Sequence, residues 1–271
     1  MGRFLMGMTL KAWKGTLFLI VLAGIASSAS AQGGAWRRKA FQQWSKADVE
    51  EVMNDSSWVA KHEVRIKQAA KIGAVAGAPT SPATQGAYLP SITNTIDVGS
   101  VRTPVDFLFT LRLRSGLPIR AAVLRAKQID ANYDQMGEQE RNAFDAKWSG
   151  ILQCPACANN YVLTLTSSSK EQPGADAVYS VFKGARLADL QRYVYIANER
   201  GERRPLVYFV PPKTPGEDAT FYFARYDDKG AALFNSKSRE LLFNVTNNEI
   251  SLVANFRVDV SRLLIDGEVS F

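Results

Sequence analysis

The chain has 271 residues, of which 46% are hydrophobic, and its formal net charge at pH 7 is +7. This length allows one large or two small domains with a proper hydrophobic core, so the fold does not need disulfides to hold it together. The basic residues are scattered along the sequence rather than clustered, which argues against a nucleic-acid-binding protein.

The first 31 residues have the features of a signal peptide. Three basic residues precede an apolar core at residues 17–26, and an Ala-Ser-Ala cleavage site at residues 29–31 precedes Gln32. The apolar core is shorter than the roughly 20 residues that cross a bilayer. We therefore expect a mature chain that begins near Gln32, has no transmembrane span and works in the periplasm or outside the cell. Cleavage would remove three basic and no acidic residues and lower the net charge from +7 to +4.

The region 32–68 is predicted to contain a helix and the first strand. Ser45 is a favourable N-cap residue and Asp48 follows three positions later, as in a capping box, which indicates that a short helix starts here. Apolar and charged residues then alternate over residues 58–67, which is typical of a half-buried strand. His62 is the only histidine and lies on the apolar face of this strand. We expect it to be a core residue.

Residues 69–103 are rich in Ala, Gly, Pro, Ser and Thr and are predicted to form a flexible loop. A connection of this length without secondary structure is unusual inside a compact domain. Residues 105–114 also alternate between apolar and polar side chains, so we expect them to form a strand that pairs with the strand before the loop.

The region 104–158 is predicted to hold this second strand and a helical hairpin. Pro118 lies near the start of the first helix, whose apolar residues recur at helical spacing, and the second helix covers about residues 138–148. The hairpin ends in the sequence Cys154-Pro-Ala-Cys157.

The region 159–271 is predicted to be almost entirely strand, because turn residues separate short segments rich in aromatic and branched side chains. The predicted strands are residues 161–166, 178–182, 193–197, 206–210, 220–226, 241–245 and 250–258, followed by a hairpin over 263–271. The predicted fold class is therefore α+β, with a C-terminal antiparallel, β-sandwich-like sheet, an N-terminal helix and a helical hairpin.

Cys154 and Cys157 are the only cysteines, and four interpretations of them can be compared. A structural disulfide would hold the corner between helix and strand in an oxidising compartment. A redox pair needs its attacking cysteine at the start of a helix, whereas the sequence predicts a helix before the pair and a strand after it. Zinc needs four ligands, and haem attachment needs a histidine where Ala158 stands. We therefore predict a structural disulfide with a candidate redox role, and no metal or cofactor.

The sequence contains no signature of a known reaction, so no catalytic residue is assigned and an enzymatic function is not indicated. Any Ser-His-Asp or Cys-His machinery would depend on His62, and no Gly-x-Ser-x-Gly motif is present. Acids that could support two-carboxylate hydrolysis lie on or beside the first helix, where acids are normally solvated: Asp48, Glu50, Glu51 and Asp55.

Aromatic residues of the C-terminal strands could stack on sugars where they are exposed. These residues are Tyr193, Tyr195, Tyr208, Phe209, Phe221, Tyr222, Phe223 and Tyr226. Because neighbours along a strand face opposite sides of the sheet, about half of them are expected in the core and the others on an outer surface.

The segment from Trp44 to Trp58 resembles the opening of uncharacterised exported bacterial proteins. It reads Trp-Ser at residues 44–45, Asp-Val at 48–49 and Asn-Asp-Ser-Ser-Trp at 54–58, and the resemblance continues into the Cys-Pro-x-Cys pair. Such proteins are sometimes grouped with those named for a Gly-Trp-x-Thr-Asp motif, which this chain lacks. The resemblance implies export and brings no reaction, cofactor or catalytic residue.

Together these features predict an exported protein that acts as a non-enzymatic interaction module of the envelope or the extracellular space. Its partner would be an envelope protein or a glycan rather than a nucleic acid. Two alternatives stay open: a thiol-disulfide protein that uses Cys154 and Cys157, and a glycan-binding β-domain.

Overall fold

The computed structural model of the protein describes residues 34–66, 105–247 and 252–271. The predicted signal peptide at residues 1–31 and the predicted loop at residues 69–103 lie outside these ranges. The described residues fall in a single compact unit. No helix among them has the length and apolar composition needed to cross a membrane.

Buried tryptophans anchor the start of the described chain. Two short 3-10 turns, Ala35–Arg38 and Phe41–Gln43, place Trp36 against Trp44, with ring centroids 5.4 Å apart. The indole Nε1 of Trp44 donates a hydrogen bond to the Trp36 carbonyl at 3.0 Å. Trp58 packs on the other side of Trp36 at 6.3 Å. This segment is therefore part of the core.

The first helix, α1 (Lys46–Asp55), begins at the predicted capping box. The Ser45 hydroxyl accepts a hydrogen bond from the Asp48 N–H at 3.2 Å, and the Asp48 carboxylate accepts one from the Ser45 N–H at 2.8 Å. These two bonds satisfy N–H groups that a helix start leaves without an intrahelical partner.

The helical hairpin consists of α2 (Leu117–Asp130) and α3 (Glu138–Gln153), so the second helix is longer than predicted. Arg125 of α2 is buried and donates to the Trp44 carbonyl and to the Asp134 carboxylate. This arginine links the hairpin to the chain segment that precedes α1.

Eight strands form one sheet, and every neighbouring pair is antiparallel. The strands are β1 (Val59–Ile66), β2 (Val105–Leu113), β3 (Asn160–Ser168), β4 (Val194–Asn198), β5 (Arg203–Val210), β6 (Ala219–Ala224), β7 (Glu240–Asn247) and β8 (Leu252–Asp259). Their order in the sheet is β1-β2-β3-β6-β5-β4-β7-β8. A separate hairpin of β9 (Leu264–Ile265) and β10 (Glu268–Val269) confirms the predicted closing hairpin.

The sheet curves until its two edge strands approach each other. The ring of His62 in β1 lies 5.8 Å from the ring of Phe256 in β8. Because these two strands are the edges of the sheet, the sheet is nearly barrel-shaped. Aromatic side chains fill the inner side: Phe107, Phe109, Tyr161, Phe221, Phe223, Phe243 and Phe256. The mixed α+β class and the antiparallel sheet are confirmed. The predicted sandwich is not confirmed, because the eight strands form one continuous sheet and not two facing sheets.

One predicted strand is wrong. Residues 178–182 form a helix instead, α5 (Ala177–Phe182). A shorter helix, α4 (Pro155–Asn159), precedes it in the chain. The Asp176 carboxylate caps α5 by accepting the Tyr179 N–H at 3.0 Å. Val178 and Phe182 are both fully buried, and their spacing of four residues suits a helix face. A four-residue helix, α6 (Leu187–Leu190), then leads to β4.

Candidate functional site

The two cysteines form a disulfide at the junction between α3 and α4, with their Cα atoms 5.3 Å apart. Cys154 has a left-handed backbone with φ 39°, and its N–H donates to the Gly150 carbonyl at 2.9 Å, which ends α3. Pro155 then occupies the first position of α4. The expectation that no helix begins at the pair is wrong, because the fixed φ of proline suits the first turn of a helix.

The two halves of the disulfide differ in exposure. Cys154 is half-buried, whereas Cys157 is only 8% exposed and lies at the inner side of α4. Cys154 is therefore the more exposed and Cys157 the more buried residue of the pair.

Two arginines hold the chain on either side of the disulfide. Arg225, which follows β6, donates from Nε and Nη2 to the Cys157 carbonyl at 3.3 and 3.1 Å. Its guanidinium carbon lies 4.4 Å from the ring centroid of Tyr161. Arg120 of α2 donates from Nη1 to the Leu152 carbonyl, while its buried Nε has no hydrogen-bond partner among the described residues. Burial and then the positive charge of Arg225 lower the pKa of Arg120 below its ordinary value.

A cavity of about 320 Å³ opens beside this disulfide, and we call it the disulfide cavity. Its lining includes both cysteines, both arginines, Ser115 and Gln153, and none of the lining side chains is acidic. Positive charge next to a cysteine stabilises the thiolate and so lowers the thiol pKa. Two positively charged side chains therefore line the same cavity as the disulfide, together with Phe271, the last residue of the chain.

His62 is not part of this site. It is half-buried on the inner side of β1 and packs edge-on against Phe256. It faces the inner side of the sheet as expected but is only half-buried, and it does not line the disulfide cavity.

The acids of the first helix have structural surroundings. Asp48 is bonded to the Lys39 ammonium at 2.8 Å as well as to Ser45, and these bonds lower its pKa to about 2, with the Lys39 bond contributing most. Asp55 is exposed and pairs with Lys61 at 2.8 Å, while Glu50 is exposed. In the part of the chain that the structure describes, no group of three or more His, Cys, Asp or Glu side chains could hold a metal ion.

A second cluster of functional side chains lies on the outer face of the sheet, and we call it the outer-face cluster. It consists of Arg112 in β2, Arg114 just after β2, Asp218 just before β6, Tyr222 in β6 and Tyr208 in β5. The Arg112 Nη1 lies 3.9 Å from the Asp218 carboxylate, and the rings of Tyr208 and Tyr222 are 5.2 Å apart. The predicted alternation of aromatic residues is correct here, because Phe209, Phe221 and Phe223 are buried. The approach of Arg112 to Asp218 and of Tyr208 to Tyr222 was not visible in the sequence.

Comparison of the chain with family models, with curated proteins and with solved structures gave no match. The resemblance to exported bacterial proteins therefore stays a prediction, and the function is argued from the two sites alone.

Proposed function

We propose that this protein is exported and carries out thiol-disulfide exchange through Cys154 and Cys157. The observation that carries the proposal is the half-exposed Cys154 beside the shielded Cys157 in a cavity with two arginines and no acidic side chain. The features of the first 31 residues support export, and disulfides persist in oxidising compartments outside the cytosol.

The exchange is a two-electron reaction with a substrate dithiol. One substrate thiolate attacks the Cys154 sulfur, the bond between the two protein sulfurs breaks, and Cys157 leaves as a thiolate that takes up a proton. The second substrate thiolate then attacks the substrate sulfur of this mixed disulfide, and Cys154 leaves as a thiolate. The substrate is oxidised to a disulfide, and the protein is reduced to a dithiol.

The two arginines favour the second step. Their positive charge stabilises the departing Cys154 thiolate, and a thiol with a lower pKa is a better leaving group. A stabilised thiolate also stabilises the reduced protein relative to the oxidised protein, which makes the disulfide more oxidising. Arg225 additionally fixes the Cys157 carbonyl, so the backbone around the shielded sulfur keeps its position.

The thiol pKa and the reduction potential test this proposal. We expect the reduced protein to have a Cys154 thiol pKa of about 7 or lower, compared with about 8.5 for an ordinary cysteine. We expect a reduction potential in glutathione buffers above about −300 mV. Arg120→Gln should raise the thiol pKa and make the pair more reducing. The control is Arg186→Gln, because Arg186 is 82% exposed and pairs with Asp189.

Single-cysteine variants identify the attacked sulfur. Cys157→Ala should form a mixed disulfide with glutathione rapidly at Cys154, and Cys154→Ala should react much more slowly at the shielded Cys157. A thiol pKa at or above about 8.5 together with a potential below about −300 mV would show that the disulfide is structural only. Equal reaction rates of the two single-cysteine variants would also contradict the proposal.

The outer-face cluster favours a second candidate function, the non-enzymatic interaction module. Tyr208 is 58% exposed there, more than any other large hydrophobic side chain among the described residues. Tyrosine is enriched at binding interfaces because its ring is apolar and its hydroxyl is polar. The two candidate functions use different parts of the protein and can be tested separately.

A further inference from the structure

The outer face of the sheet carries an aromatic surface that a β-bulge creates. Leu206 pairs with Phe223 and Tyr208 pairs with Tyr222, so the register between β5 and β6 shifts at Val207. Val207 and Tyr208 are consequently both exposed, at 40% and 58%. Bulges often change the direction of a side chain next to a binding site. Here the bulge turns two consecutive residues toward solvent.

The Tyr208 ring is supported from one side. The ring of Tyr222 lies 5.2 Å away and is inclined by 58°, and Tyr222 itself is only half-exposed. Tyr222 therefore acts as a side wall, and the Tyr208 ring keeps a surface free for a ligand. Two adjacent exposed side chains form a small patch, whereas a stable protein interface needs about 800 Å² on each partner.

Arg112 orients the charged end of the cluster through three hydrogen bonds. Its Nε donates to the Met53 carbonyl at 2.8 Å, its Nη1 to the Thr166 hydroxyl at 3.1 Å and its Nη2 to the Asn54 side-chain oxygen at 3.2 Å. It also lies 3.9 Å from the Asp218 carboxylate. Arg112 thus connects α1, β2 and β3 and holds Asp218 at the surface.

Arg114 differs from Arg112, because no hydrogen bond joins its guanidinium to any residue in the described ranges. Burial lowers the pKa of Arg114, and the nearby Asp218 and Tyr222 act in the opposite direction. Asp218 and Tyr222 are therefore close enough to Arg114 to act on its charge. Its planar guanidinium can donate two parallel hydrogen bonds to a carboxylate.

We propose that the outer-face cluster binds an acidic glycan. The ring of a uronic acid unit stacks on Tyr208, its carboxylate accepts hydrogen bonds from Arg114, and Asp218 accepts a hydrogen bond from a sugar hydroxyl. Two arginines and one aspartate leave the cluster with net positive charge, which complements such a ligand. This inference deepens the second candidate function and is independent of the disulfide.

Titration calorimetry with an oligomer of galacturonic acid and with a glucose oligomer of equal length tests the proposal. We expect the acidic oligomer to bind the full chain at least about tenfold more tightly than the neutral one. Tyr208→Ala should weaken binding of the acidic oligomer by about tenfold or more, and Arg114→Gln should abolish the preference for the acidic oligomer. Circular dichroism of each variant checks that it is folded.

Two variants elsewhere on the surface serve as matched controls. Tyr226 is 46% exposed and lies beyond the end of β6, and Arg203 is exposed in β5. Tyr226→Ala and Arg203→Gln should bind the acidic oligomer as the unchanged chain does. Failure of the unchanged chain to bind the acidic oligomer, equal binding of the two oligomers, or an equal loss in a control variant would overturn the proposal.

Two further measurements separate this proposal from thiol-disulfide exchange. Tyr208→Ala should leave the Cys154 thiol pKa unchanged, and Arg120→Gln should leave binding of the acidic oligomer unchanged. If one of the two proposals is contradicted, the test of the other is therefore unaffected.

Discussion

The indole N–H of Trp58 donates a hydrogen bond to the carbonyl of Ser270 at 2.7 Å and so joins the start of β1 to the end of the described chain. Trp58 is fully buried. This bond is one of the contacts through which residues far apart in sequence hold the sheet and the closing hairpin together.

Replacement of Trp58 by phenylalanine should destabilise the protein by about 1–3 kcal/mol, because the Ser270 carbonyl would lose its indole partner. Urea unfolding followed by circular dichroism measures this change. Trp148→Phe is the control, since Trp148 is half-exposed on α3. Equal losses in the two variants would argue against a specific role of the Trp58 hydrogen bond.

Gly116 should not tolerate a side chain. A Cβ atom at this position would lie 2.3 Å from Cδ1 of Trp58 and 3.0 Å from the Leu113 carbonyl oxygen. We expect Gly116→Ala to lower the free energy of unfolding by about 1–3 kcal/mol, as overpacking of a core does.

Gly150→Ala provides the matched control for Gly116→Ala. Gly150 lies in α3, and apart from its chain neighbours and the backbone of its own helix no atom lies within 4 Å of the position that its Cβ would take. Alanine is favoured over glycine inside a helix by about 1 kcal/mol, so this variant should be slightly more stable than the unchanged chain. Equal destabilisation by both substitutions would contradict the predicted clash at Gly116.

The Asp48 capping box should make stability depend on pH in the acidic range. The pKa of Asp48 falls from an ordinary 3.8 to about 2 in the folded protein, mainly because of the Lys39 bond. A carboxylate with a lowered pKa stabilises the fold above its unfolded pKa, and this contribution is lost as the pH falls from about 4 through about 2. Asp48→Ala should cost about 1–2 kcal/mol at neutral pH and should flatten this part of the profile. Glu50→Ala, on the exposed side of the same helix, should leave the profile unchanged.

The fold should survive reduction of the disulfide, as thiol-disulfide exchange requires. Cys154 and Cys157 are separated by three positions, and closing such a short loop contributes about 2 kcal/mol in the chain-entropy model. We expect the reduced protein to keep the circular dichroism spectrum of the oxidised protein and to unfold at a modestly lower urea concentration. Complete unfolding upon reduction would contradict this expectation.

Local signals in the sequence account for the elements that were predicted correctly. The capping box of Ser45 and Asp48 lies within four residues, and the alternation of β1 and β2 covers a single strand each, so neither depends on the rest of the fold. The segment 178–182 was predicted wrongly because a short run of apolar residues suits a strand and a helix equally well. The Asp176 cap and a hydrogen bond from the Val178 N–H to the Ser167 hydroxyl stabilise the start of the helix.

The candidate sites depended on contacts that no local pattern contains. Arg112 and Asp218 meet because β3 pairs with β2 on one side and with β6 on the other, an order that the sequence does not reveal. The bulge at Val207 changes which residues face outward, and Pro205, two residues earlier in β5, is the one local signal for it. The helix after Cys154 did have a signal, since Pro155 is a favourable first residue of a helix.

The register of the first hairpin bears on how the chain could be shortened. Ile66 and Val105 stand directly opposite each other at the end of the β1 and β2 ladder. Antiparallel strands that end in such a pair can be joined by a two-residue Asn-Gly turn. A deletion that replaces residues 67–104 with this turn would therefore retain every backbone pairing between the two strands, and it offers a smaller protein for crystallisation and nuclear magnetic resonance.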